Sequence, residues 1–146
     1  MITKKMKIMA LFFIVLMFGS TFAYGIMSLF GEKGNQLQIP QDKILNYELN
    51  EQQKTYLMQR GYTLIKYDYS SGCLECIDVK SNLERITQNS DGQIYLQEIT
   101  LEASNKINIV SLNGQKTINK PTVNQTEEAV CNLLLQRPLW CLTSQL

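Results

Sequence analysis

The chain has 146 residues, enough for one domain, with 45% hydrophobic residues and a formal net charge of +1. That near-neutral balance, with both signs mixed along the chain, provides no basic stripe for nucleic acid. Histidine is absent, which excludes Ser-His-Asp and Cys-His catalysis and any His-ligated zinc, haem or copper site.

Residues 8–30 (IMALFFIVLMFGSTFAYGIMSLF) carry no charge. A helix of that length spans roughly 35 Å, enough to cross a hydrocarbon core. Lys4, Lys5 and Lys7 precede it. The positive flank, residues 1–7, is expected to stay in the cytoplasm, with residues 8–30 held by membrane lipid as a single-pass anchor and the rest of the chain outside. The other reading is a cleaved signal peptide, with an apolar run over residues 8–18 and the small residues Gly19, Ser20, Thr21 and Ala23 near the cut. Both put the remaining chain in a compartment where disulfides persist.

Residues 31–40 contain Gly31, Gly34, Asn35 and Pro40 and read as a linker. A domain over residues 41–146 follows. Residues 50–60 predict a helix, capped by Asn50 and stopped by Gly61. The β-branched and aromatic residues 62–69 predict a strand, with Tyr62, Leu64, Lys66 and Asp68 on one face and Thr63, Ile65, Tyr67 and Tyr69 on the other. Ser70, Ser71 and Gly72 turn the chain. Residues 73–88 predict a helix whose apolar face holds Cys76, Ile77, Val79, Leu83 and Ile86. Strands are expected over residues 93–101 and 106–112. Asn113-Gly114 signals a hairpin to a returning strand at 115–118. A last helix is expected over residues 126–136, with Thr126 as its cap, Glu127 and Glu128 in its first turn and Pro138 ending it. The sequon Asn124-Gln125-Thr126 reads as a turn before that cap rather than a glycosylation site.

The four cysteines are Cys73, Cys76, Cys131 and Cys141. An even number suits two disulfides, one redox pair with one structural pair, or zinc held by four thiolates. The pair Cys73-Leu74-Glu75-Cys76 sits where a predicted strand meets a predicted helix. Amide N–H groups at a helix start are unpaired and the dipole is positive there. Both favour a thiolate at Cys73 and lower its pKa. Cys76, three residues on and on the same face, is placed to resolve a mixed disulfide formed at Cys73.

The run YDYSSGCLEC, with the strand, the NIVSLNGQKTI hairpin and the closing helix after it, resembles the thioredoxin superfamily over residues 60–137, in particular its small membrane-anchored prokaryotic members. The resemblance implies an α/β fold with a mixed sheet flanked by helices, preceded here by one transmembrane helix. It implies that Cys73 attacks and Cys76 resolves, with protein thiols or disulfides as substrates and a redox partner protein. It implies no cofactor and no metal. Where the family carries a cis-proline facing the dithiol, this chain has Ser104-Asn105-Lys106, and Asp68 stands one residue out of register with the family's buried acid.

Cys131 lies on the last predicted helix and Cys141 ten residues later. If Pro138 breaks the helix, the chain can fold back and join them in a structural disulfide, with Trp140 packed beside it. A second redox pair relaying electrons is the alternative, and the spacing disfavours zinc. Two functions are therefore expected: an extracytoplasmic, membrane-anchored thiol-disulfide oxidoreductase, or a non-catalytic tethered binding module with two structural disulfides.

Overall fold

In the computed structural model, residues 37–143 are described, and the anchor, most of the linker and the last three residues fall outside them. The elements belong to one compact unit beginning at Ile39. In chain order they are β1 (Ile44–Leu45), α1 (Glu51–Gln59), β2 (Thr63–Ser70), α2 (Leu74–Gln88), β3 (Ile94–Leu101), β4 (Asn105–Ser111), β5 (Gly114–Asn119), α3 (Val123–Leu133) and α4 (Leu139–Thr143).

The helix ends follow from local chemistry. Asn50 caps α1 through a reciprocal pair: its side chain accepts from Gln53 N at 2.8 Å, and Gln53 Oε1 accepts from Asn50 N at 3.0 Å. Gly61 follows the helix at φ +85°, where a Cβ would meet Leu135 Cδ1 at 3.0 Å. The start of α3 differs from expectation. Thr122, not Thr126, is the cap, again in a reciprocal pair, with Gln125. Thr126 is buried one turn in, and its hydroxyl donates to Thr122 O at 2.7 Å. Glu127 is therefore past the first turn, and accepts from Asn82 at 2.8 Å and Arg85 at 2.7 Å on α2. The helix ends at Leu133, before Pro138 acts on it.

The mixed sheet flanked by helices is present, in the order β1-β3-β2-β4-β5. β1, β3 and β2 are parallel, and β4 and β5 are added antiparallel. Alternation along β2 divides the core as expected. Ile65 and Tyr67 pack under α2 and α3 with Val79, Leu83, Ile86, Leu96, Ile107, Ile109 and Val130. Leu64 packs on the other face with Leu45, Leu49, Leu57 and Tyr95. Ile77 is 59% exposed and outside the core. The buried stripe of α2 runs through Cys76, Val79, Leu83 and Ile86, and Ile77 lies about 100° around the helix from Cys76. In the hairpin, Ser111 pairs with Gly114, so Leu112 and Asn113 form the loop and Gly114 takes the positive φ.

On the α1 face, Glu48 bridges two elements. Lys54 of α1 reaches Glu48 Oε1 at 2.7 Å and Lys66 of β2 reaches Oε2 at 2.8 Å. Hydrogen bonds from Lys54 and then Lys66 hold the carboxyl at about 2. A folded pKa below the ordinary value gives stability that is present above about 4.5 and lost as pH falls through about 2. The Glu48 side chain is 45% exposed, so the gain is less than about 1 kcal/mol. Glu48→Gln should therefore lower the unfolding free energy by under about 1 kcal/mol in urea titrations at pH 7, and the difference should vanish in 1 M salt.

Candidate functional site

The polypeptide leaves β2 at Ser70, turns, and re-enters regular structure at Cys73. Cys73 N donates to Ser70 O at 3.1 Å, which closes the turn. The Ser70 hydroxyl donates to Glu102 O at 3.2 Å, tying the turn to the three-residue connection between β3 and β4. Cys73 is the N-cap of α2, and its Sγ accepts the N–H of Cys76 at 3.2 Å. The sulfur thus takes the place of the usual Ser or Asp oxygen at a helix start.

Cys73 and Cys76 form a disulfide with their Cα atoms 5.3 Å apart. The two sulfur-bearing residues are unequal: Cys73 is half-buried and Cys76 is 1% exposed. An incoming thiol or disulfide can therefore reach Cys73 and not Cys76. Around the accessible side stand Leu74, 81% exposed, and Ile77. Glu75 follows Leu74 in the first turn of α2. Its negative charge suits the helix dipole but opposes a thiolate nearby.

Beneath the disulfide, on the α2 face of the sheet, lie groups from three strands. Tyr67 of β2 is fully buried, and its ring stacks on that of Tyr69 at 5.1 Å. Asn105 opens β4 opposite Tyr69. Glu98 of β3 is paired in register with Tyr67. Glu98 is the acid on this face, with Lys80 of α2 at 3.2 Å. Burial pushes its carboxyl up, against the pull of Lys80, whose ammonium is in turn held up by Glu98. Asp68 points to the other face and meets Lys66 at 3.6 Å, as its register requires.

Sequence reasoning found the cysteine pair and missed Tyr67 and Asn105 as its neighbours, and Glu98 beside Tyr67. A signal existed for Glu98. It is in phase with Ile94 and Leu96, both fully buried, so alternation puts it on the core face.

Cys131 of α3 and Cys141 of α4 form a second disulfide, with Cα atoms 5.6 Å apart. Both residues are 3% exposed, and Trp140 is partly buried against the same core. All four sulfurs are thus paired. Among the described residues no group of three or more Cys, Asp or Glu is arranged to hold a metal ion, and no helix is long and apolar enough to cross a membrane.

No family model and no curated protein matches the sequence. Among solved structures the chain is similar to chloroplastic thioredoxin z, whose crystal structure is described as defining a novel type-specific target recognition. The identity is 15% and the TM-score 0.43, over 61% of this chain and 90% of that one.

Proposed function

We propose that the chain is a thiol-disulfide oxidoreductase on a thioredoxin-like scaffold, tethered by residues 8–30 to the cell membrane, with its domain on the extracytoplasmic side. The observation that carries this reading is the placement of Cys73 Sγ. It caps α2, accepts the Cys76 N–H at 3.2 Å, and is reachable, while its partner sulfur is buried. The tether rests on the uncharged run behind Lys4, Lys5 and Lys7.

In the reduced protein the Cys73 thiolate attacks a disulfide of a partner protein. The partner's S–S bond breaks, one of its sulfurs leaves as a thiolate and takes a proton, and a mixed disulfide forms at Cys73. Cys76, deprotonated, then attacks Cys73 Sγ, the second partner sulfur leaves, and the Cys73–Cys76 bond closes. Two electrons and two protons pass from this chain to the partner, and a dithiol protein restores the reduced form by the reverse exchange. Leu74 and Ile77 give the site an apolar rim suited to polypeptide rather than to small polar thiols.

The second reading, a binding module with two inert disulfides, is favoured by one feature: the stretch facing the dithiol is Ser104-Asn105-Lys106, without the proline on which the family docks a substrate backbone. Equilibrating the purified full-length chain with dithiothreitol or glutathione mixtures and mass-tagging the thiols separates the two. Catalysis predicts that only Cys73–Cys76 exchanges quickly, with a potential between those of known dithiol enzymes, about −270 to −120 mV. Two pairs resisting reduction together, below about −300 mV, would leave the binding module.

A further inference from the structure

The polar atoms beneath Cys73 form a directed chain. The Tyr67 hydroxyl lies 3.2 Å from Asn105 Oδ1 and 3.5 Å from the Cys76 carbonyl oxygen. Asn105 Nδ2 lies 4.0 Å from Cys73 Sγ. Tyr67 is fully buried, and a buried phenol requires a partner. Burial, then Tyr69 and Glu98, push its pKa to about 12, so it stays protonated and donates.

Donation from Tyr67 fixes the amide. With Oδ1 accepting from the phenol, the Nδ2 group faces the sulfur. The reverse orientation would set a carbonyl oxygen against Cys73 and is repelled once that sulfur is charged. Opening the disulfide leaves negative charge on Sγ, which shortens and strengthens hydrogen bonds from its donors. The first donor is Cys76 N–H, from the helix start. We infer that Asn105 is the second donor to the Cys73 thiolate, reaching it from β4, and that Tyr67 is the positioning residue that aims it. This rests on the reading of Cys73 as the attacking sulfur.

The charged groups on the surrounding elements are Glu75 and Asp78 of α2, Glu102 of the β3–β4 connection, Lys106 of β4 and Lys120 after β5, whose N–H donates to Asn105 O at 2.7 Å, all exposed, and the Lys80–Glu98 pair under Tyr69. The exposed charges are screened by solvent and salt. The Asn105 amide, half-buried and neutral, carries no titrating proton and stays a donor at every pH in the range.

The test is the pH dependence of Cys73 alkylation by iodoacetamide in the reduced full-length chain, read on the Cys73 peptide by mass spectrometry. Asn105→Leu should move the midpoint up by about one pH unit and slow alkylation at pH 7 roughly tenfold. Tyr67→Phe, which keeps the ring in the core, should move it the same way by less. The double variant should match Asn105→Leu alone, because Tyr67 acts through Asn105. If Asn105→Leu does not fold, Tyr67→Phe carries the test unaided. A wild-type Cys73 that is reactive, with Tyr67→Phe and Asn105→Leu profiles superimposed on it, overturns the inference and leaves the redox reading standing. Full additivity of the two substitutions also overturns it. A wild-type Cys73 that titrates near 8.5 like a free thiol, and exchanges with no disulfide, defeats both.

Discussion

Cys73→Ser should abolish disulfide exchange, and Cys76→Ser should arrest it half-way. The hydroxyl of serine is not ionised near pH 7, so the first substitution removes the nucleophile. The second leaves Cys73 reachable and still at the N-terminus of α2, so the first attack proceeds. The mixed disulfide then has no buried neighbour to resolve it. Incubated with a disulfide-bearing peptide, Cys76→Ser should accumulate a covalent adduct on Cys73 with the mass of one peptide thiol, while Cys73→Ser should give none and reduce the substrate only at the uncatalysed rate. The proposed assignment rests on the unequal exposure of the two residues: Cys76 is 1% exposed. An adduct on Cys76 in the Cys73→Ser protein would reverse the two roles.

The double substitution Cys131→Ala/Cys141→Ala should cost the domain about 2–5 kcal/mol. The bond closes a loop with a sequence separation of 10, for which the chain-entropy account gives about 3 kcal/mol. Both residues are 3% exposed, so removing the sulfurs also leaves unfilled space beneath α4. Urea unfolding should show a lower midpoint, while Cys73 alkylation in the still-folded fraction keeps its rate. Loss of exchange without loss of stability would instead make Cys131–Cys141 part of the electron path. Burial also sets the order of reduction: mild dithiothreitol should open Cys73–Cys76 well before Cys131–Cys141.

Much of this arrangement is written locally in the chain. The strands 62–69 and 93–101 and the helices 50–60 and 73–88 fall within a residue of β2, β3, α1 and α2, because each is long enough to express a period and is closed by a cap or turn residue. β1 and α4 were not legible: two and five residues carry no period, and both depend on what they dock against. The start of α3 was misplaced because Glu127 and Glu128 follow Thr126 and suit a first helical turn, which drew the cap four residues too late. The Thr122 and Gln125 spacing fits a capping box and was there to be read.

The site divides in the same way. Cys73 and Cys76 form a local motif. Tyr67 and Asn105 meet them, and Glu98 comes beside Tyr67, only through the register of β2 with β3 and β4, which no single segment specifies. The anchor proposed over residues 8–30 lies outside the described residues.

The three-residue connection from β3 to β4 sets a rule for which changes this domain can absorb. Glu102 and Ala103 are exposed, so their identities are nearly free to drift. Their number is not. The link crosses the end of β2 and delivers Asn105 opposite Tyr69, with Ile107 opposite Tyr67 and Ile109 opposite Ile65. Deleting one residue draws β4 back by a single position, and in a strand that inverts every side chain. Ile107 and Ile109 would leave the core for the opposite face, and the amide at Asn105 would turn away from the sulfur. Relatives of this protein that keep the same chemistry should therefore vary the letters of this link and conserve its length.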